Sequence, residues 1–471
     1  MKVRRYLHSM TGRGRKLGLA LTLITGAAGL GWGLLPDPAA ATQRSTLAMP
    51  QPDGVSGYPS ADASAMQARP AGMERTEAAF VRGGALWVKE RGKERQLTPN
   101  GGYARNPAWS PDGRWIAYNA GQEQRQIWIV DVGTGKSHLA APEGGSEFQW
   151  SPSLAKDRLA YLQEQELHSV GAEEGDESVD VAGEIGNFSW LPDGSGYLIS
   201  SAAQLLPDGW TPVRISRIML ATEASDPVQE EQLYVLPKQI NDLIVVGTST
   251  FKWSATGAWI AFLATPTASL SADSNTLCVL SLDGKSFLPV TQMARDEQWF
   301  QWSRHSSEGD RLAYIDGIGR EASSNKRLTV TPVPALQPKA YTPSGFVDQN
   351  FAWYGEDSIL VSRAAEGAWS GDPGKRPRPS LVKINLSRAT QDMVTISPEG
   401  WGDFSPVSLS GGAIGWVRSD RTVSNVMLAK SAKHAKKAPV WIQGIDLGDN
   451  FYEQWNWLPV LRFKEENKAA K

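Results

Sequence analysis

Glu147 and Asp403 each stand just ahead of an aromatic-led segment. Paired carboxylates of this kind perform general acid–base chemistry on glycans when their spacing in the fold allows it. They belong to a wider polar set in the same relation to their segments: Asn106, Glu147, Asn187, Thr250, Gln298, Asn350, Asp403 and Gln454, with Trp299, Trp401 and Trp455 close by. Polar groups around aromatic anchors suit the binding of a peptide, a protein or a sugar. Elsewhere the chemistry is thin. Gly133-Thr-Gly-Lys-Ser137 ends like a phosphate-binding loop, but Val130 stands where that motif requires glycine, so a hairpin turn is expected. No Gly-x-Ser-x-Gly nucleophile elbow and no calcium-loop pattern occurs. His138, His168, His305 and His434 are scattered, and Cys278 lies in an apolar run, as a buried inert thiol would. Lys430, Lys433, Lys436 and Lys437 form a basic loop, read as a solvated hairpin or a contact for an anionic polymer or membrane surface.

Composition narrows the classes. The chain has 471 residues, 48 Lys+Arg and 50 Asp+Glu, a net charge of −2 that lacks the basic footprint of a general nucleic-acid binder. One cysteine permits no intramolecular disulfide and no cysteine-based zinc site. No metal and no other cofactor is expected. The N-terminus reads as an export element. Lys2, Arg4, Arg5, Arg13, Arg15 and Lys16 precede Leu17 to Leu35, a run free of charge, and Ala39-Ala40-Ala41 resembles a cleavage site. Residues 1–41 are thus a signal peptide or an uncleaved membrane anchor, with everything after them extracytoplasmic. Residues 42–76, rich in Ala, Pro, Ser and Gly, form a flexible linker. Residues 77–463 form the folded domain and 464–471 a charged tail.

The elements that must position the polar set come from a repeat. Trp109-Ser-Pro-Asp-Gly-Arg-Trp-Ile-Ala-Tyr118 recurs in weaker copies at Trp150, Trp190, Trp253, Trp302, Trp353 and, more divergently, Phe404, in steps of 41, 40, 63, 49, 51 and 51 residues. Such periods mark propellers and solenoids. Ser-Pro-Asp-Gly is turn chemistry, and its flanks are aromatic and β-branched, so each copy is a hairpin. Two further short strands follow, as in Gln126 to Asp131 and Ser137 to Ala140. Four strands make one propeller blade. Phe148, Phe188, Phe251, Phe300 and Phe351 lie two residues before their tryptophans, on the same strand face, where the next blade must cover them. Residues 78–98 supply strands two to four of a blade without a first strand. Trp455-Asn-Trp457-Leu-Pro459 is the reverse, so the C-terminal strand closes the ring. The expectation is an all-β propeller of eight four-stranded blades, or seven if the Phe404 unit is incomplete. An insertion is expected at about residues 204–248, inside the 63-residue step.

The phrase at Trp109, with Ile127-Trp-Ile-Val-Asp131 after it and Arg95-Gln-Leu-Thr98 before it, resembles TolB-type propeller repeats over about residues 78–459. The resemblance implies a propeller, an extracytoplasmic location and a protein-binding role. It covers the repeats alone: TolB proper has a separate domain before its propeller, where this chain has the linker, and fewer blades. Similar repeats accompany serine peptidases, whose nucleophile elbow is missing here. In a propeller the innermost strands start at one mouth of the central channel, which the polar set would ring. The expected function is an exported, monomeric, non-enzymatic propeller that binds a protein or envelope polymer at that mouth, with the membrane engaged only through the N-terminal segment. Two alternatives are a glycan-acting lyase or hydrolase using Glu147 and Asp403, and a structural module that contacts an assembly through its side or its insertion.

Overall fold

The computed structural model describes residues 75–465, apart from 146, 156, 221–228, 305, 306 and 308. The expected signal or anchor segment, the linker up to residue 74, His305 and the end of the charged tail lie outside the described residues. Eight antiparallel sheets stand side by side as eight blades of a propeller. In blade two, the best copy of the repeat, the strands are Arg105–Trp109, Trp115–Ala120, Gln126–Asp131 and Ser137–Ala141, in that order from the channel outward. The innermost strands of blades three to eight are Phe148–Trp150, Ile185–Trp190, Lys252–Trp253, Phe300–Trp302, Phe346–Trp353 and Gly402–Ser408. Blade one is built from both ends of the chain: Leu461–Phe463 pairs with Ala78–Arg82, followed by Ala85–Glu90 and Lys93–Gln96. Ring closure by the C-terminal strand therefore occurs, with one change in register. The expected closing segment around Trp455 instead forms a separate hairpin, Asp449–Phe451 with Gln454–Asn456.

The turn residues act as their chemistry predicts. Ser110 Oγ donates to Asp112 Oδ1 at 2.6 Å, and the same oxygen accepts from the Arg114 amide at 2.8 Å. Gly113 takes a φ of +73°, which a side chain would disfavour. Gly133 to Ser137 is a hairpin turn, with the Asp131 carboxylate capping the Thr134 amide.

The repeat tryptophan joins adjacent blades. Its indole Nε1 donates to a backbone carbonyl on the innermost strand of the preceding blade. Trp109 donates to Arg462, Trp150 to Ala108, Trp190 to Gln149, Trp253 to Trp190, Trp302 to Lys252 and Trp353 to Gln301, at 2.8–3.3 Å. The phenylalanine two residues earlier fills the same interface: Phe188 is 1% and Phe300 0% exposed, and full burial of such a ring stabilises by roughly 1.5–3 kcal/mol. Backbone bonding locates the equivalent position in the two divergent blades. The Ser110 amide bonds across the strand pair to the Trp115 carbonyl, and the Leu409 and Lys464 amides bond in the same way to the Ala413 and Glu77 carbonyls. Ser408 and Phe463 thus occupy the tryptophan position, rather than Phe404 and Trp457, and neither can make the indole bond.

The segment expected as an insertion is mostly blade. Arg214–Met219 and Gln229–Val235 are the two outer strands of blade four. The true additions are small hairpins at Leu205–Trp210 and Gln239–Ile244.

Candidate functional site

Antiparallel pairing fixes which loops share a face. Innermost strands begin, second strands end, third strands begin and outermost strands end at one side of the ring, here called the upper face. The linkers between blades and the loops joining second to third strands therefore gather there. The chain lengthens these loops in blades four to eight: residues 202–213, 266–274, 317–326, 366–379 and 446–460.

Most of the polar set maps to one structural position, three residues before the tryptophan position, where the innermost strand bulges. The ladder register breaks there in blades two, four, seven and eight. Asn106 and Asn350 adopt φ of 52° and 38°, a region asparagine tolerates well. Asn106 Nδ2 donates to Asn119 Oδ1 at 2.9 Å, and Asn187 Nδ2 to the Thr248 carbonyl at 3.2 Å. Asn187 and Asn350 are buried, and so are Trp299, Gln454 and Trp455. Trp401 is half-buried, on the linker into blade eight.

Asp403 is also sealed. It is 0% exposed and takes a bidentate pair of bonds from Arg418, at 2.7 and 2.9 Å, with further bonds from Trp416 Nε1 and Ser397 Oγ. Blade seven repeats the device with Asp348 and Arg363, again directly across the strand pair. With every oxygen engaged by the protein, the Asp403 carboxylate has no face for substrate, so the arrangement does not join it to Glu147 as an acid–base pair.

The residues the ring does bring together are Glu147, Thr250 and Gln298, with four that the sequence reading passed over: Lys252, Arg295, Asp296 and Glu297. The Thr250 hydroxyl and amide both donate to the Glu297 carboxylate. Lys252 Nζ donates to the Glu297 and Phe300 carbonyls and lies 4.1 Å from the Phe300 ring centroid. Asp296 caps the Gln298 amide at 2.7 Å, and Gln298 Nε2 donates to Asn456 Oδ1 at 2.9 Å. Glu147 keeps solvent-accessible surface yet is enclosed by protein, as a side chain lining a narrow mouth is. Desolvation and then the Glu297 charge raise its carboxyl above the ordinary range, against the pull of Arg295. Desolvation pushes Asp296 up to about 7 and brings Lys252 down to about 8. Lys252 occupies the position just before the tryptophan, as do Gln149 and Gln301. The side chains of all three bond to the carbonyl of the next blade's phenylalanine. A periodic polar residue between two aromatics was the available signal.

The Asp449–Asn456 hairpin lies over this mouth. Gln454 Nε2 donates to the Arg320 carbonyl, the Tyr452 ring lies tilted against Trp369 with centroids 5.1 Å apart, and Arg105 pairs with Asp449. Glu453, 1% exposed, is held by Arg421 and Arg376. Beside the hairpin, Asp273, Ile318, Arg320, Glu321, Asn325 and Tyr452 line an open depression of about 370 Å³. Among the described residues, no group of three or more His, Cys, Asp or Glu side chains is placed to hold a metal ion.

No family model matches the chain. The Tol-Pal system protein TolB of Zymomonas mobilis is 36% identical over 73 residues, which is 14% of this chain and 16% of that protein. Among solved structures, TolB from Acinetobacter baumannii aligns with 69% of this chain and 65% of its own at 14% identity and a TM-score of 0.33. A puromycin hydrolase aligns with 75% of this chain and 55% of its own at 12% identity and 0.46, and an oligogalacturonate lyase in complex with manganese with 78% and 96% at 14% and 0.41. The chain thus spans under two thirds of the TolB and puromycin hydrolase chains. With the Trp109-Ser-Pro-Asp-Gly113 phrase and its weaker copies set in a ring of eight blades, and with its short TolB match, this chain is a TolB-like β-propeller.

Proposed function

We propose that this propeller is a binding protein that receives a segment of a protein partner on its upper face, over the hairpin-covered mouth, outside the cytoplasm. The observation that carries this reading is the distribution of exposed apolar side chains. Of the large hydrophobic residues exposed among the described residues, all that lie off the outermost strands are on the upper face except Leu154. They include Leu205, Ile244, Leu270, Ile318, Trp369 and Phe451, drawn from six different loops. Apolar groups that solvent would otherwise scatter are gathered on one side, the usual mark of a protein contact. The linkers between blades on this face are acidic: every charged residue in them is a carboxylate, save Lys238 and Arg295. A partner segment with apolar anchors and basic flanks is complementary to it. The location outside the cytoplasm rests on the basic and apolar pattern of residues 1–41 and on the TolB-type repeats.

Affinity capture from native membranes tests the proposal. The full chain is compared with an Ile318→Asp/Phe451→Asp variant and with Leu154→Asp on the opposite face, after thermal melts show all three folded. A partner retained by the wild type and by Leu154→Asp but lost by the double variant supports the upper face. Equal capture by all three chains removes it.

A further inference from the structure

The lower face carries a second, oppositely charged feature. Between the third and outermost strands of blade eight, residues 432–437 form a short 3₁₀ helix. Residues three apart eclipse in such a helix. Ala432 and Ala435 form one row, 9% and 2% exposed, seated on the blade. Lys433 and Lys436 form another, facing solvent, with exposed Lys430 and Lys437 at either end. Tyr354 fixes the loop, since its hydroxyl accepts from the Ala432 amide and donates to the Gly412 carbonyl. Lys383 lies 5.5 Å from the centroid of the same ring, adding a fifth cation at this edge. The adjoining turn carries two carboxylates, Glu356 and Asp357, of which Asp357 is engaged by Arg311 and Ser387.

Position adds to charge. The third strand of blade eight ends on the lower face, and so does the path into blade one. Glu77, where the chain enters, is bonded there to Lys464 at the end of the closing strand. Blades eight and one are neighbours, with Arg82 of blade one donating to the Gly444 and Gln443 carbonyls of blade eight. The sequence ahead of Glu77 contains the charge-free run Leu17 to Leu35. Chain entry and lysine row therefore lie on the same face, in neighbouring blades.

We infer that Lys430, Lys433, Lys436 and Lys437 form a docking surface for an anionic bilayer, which sets the lower face against the lipid and turns the upper face away. Basic side chains near an anionic surface are attracted to it within a screening length. The inference is independent of what the upper face binds.

The test reconstitutes the full chain with lipid nanodiscs, neutral or containing anionic lipid. An Ala438→Cys dye beside the lysine row serves as energy donor to a headgroup-labelled lipid. Cys278 is buried and does not compete for the dye. Expected is strong transfer with anionic discs, lost at about 1 M salt, where the screening length falls to about 3 Å. Lys430→Glu/Lys433→Glu/Lys436→Glu should lower transfer to the neutral-disc level, with the corresponding glutamine variant between the two. A dye at Leu205→Cys on the upper face should give low transfer throughout. Equal transfer with neutral and anionic discs overturns the inference, as does a triple variant that folds and leaves transfer unchanged. Lysine-dependent binding to a soluble acidic polysaccharide with none to anionic lipid also overturns it.

Discussion

Asp403→Asn separates a structural carboxylate from a functional one. The side chain is 0% exposed and accepts two bonds from Arg418, whose side chain is itself only 18% exposed. An amide in its place keeps the shape but removes the charge and turns an N–H₂ group towards existing donors. Breaking one partner of a buried pair costs about 3–5 kcal/mol, because the other charge stays behind unpaired. For a ring of roughly 390 residues, unfolding entropy of about 2.1 cal/mol/K per residue converts that cost to a fall in melting temperature of about 4–6 °C. Glu147→Gln serves as the reference. Glu147 is exposed, so its stability change should stay within about 0.5 kcal/mol. The assay is a thermal melt followed by tryptophan fluorescence, beside partner capture on the same preparations. Asp403→Asn should melt early and, below its melting point, capture as the wild type does. An unchanged melting temperature together with lost capture would refute this reasoning and return Asp403 to the binding surface.

Trp302→Phe removes an indole donor 2.8 Å from the Lys252 carbonyl and should cost about 1–3 kcal/mol in denaturant melts, more than the same change at half-exposed Trp109. Asp157 has its carboxyl pushed up to about 6 by desolvation and then by Asp112, so its folded pKa lies above its unfolded one. Its contribution is complete below about pH 4 and is lost as pH rises through about 6. Asp157→Asn should therefore stabilise at pH 7 by about 1 kcal/mol, after allowing for solvent screening of a partly exposed group, and the gain should vanish near pH 4 in paired melts. Glu147→Gln/Glu297→Gln removes two carboxylates from the mouth and should weaken capture of a basic partner segment in a salt-sensitive way, while the single Leu154→Asp change on the lower face leaves capture intact.

The blade plan was legible because it rests on local chemistry repeated many times. Ser-Pro-Asp-Gly turns and aromatics two residues apart state a hairpin and its buried face wherever they occur. Two positions slipped where the motif fades. Phe404 resembles the repeat aromatic, but the innermost strand of blade eight runs on to Ser408. Trp457 echoes Trp190, but it is drawn into the core beside Trp455 at 5.1 Å, and Leu461–Phe463 makes the closing strand. Long-range pairing decides such cases, and no window of sequence contains it. At the mouth, polarity ahead of each tryptophan marked the right stretch of chain but not the direction of each side chain. Asn106, Asn187 and Asn350 serve a bulge, and Asp403 serves Arg418. The spacing that would have exposed the last case was present twice, as Asp348 to Arg363 and Asp403 to Arg418.

The stapling bonds constrain where a ligand can act. Each blade interface can use two of them: the indole reaches back to a carbonyl of the preceding blade, and the residue before it reaches forward to the next phenylalanine carbonyl. Gln149, Lys252 and Gln301 are therefore committed to holding neighbouring blades together. A ligand that recruited them would have to break interblade bonds to do so. The loops are under no such obligation: they vary in length from blade to blade, carry the exposed apolar side chains and end in solvent, which is where a rigid scaffold can change its specificity without losing its ring. Recognition confined to the channel would leave Ile318, Trp369 and Phe451 exposed without use. Recognition over the hairpin engages them, while Glu147 and Glu297 beneath it supply the charge.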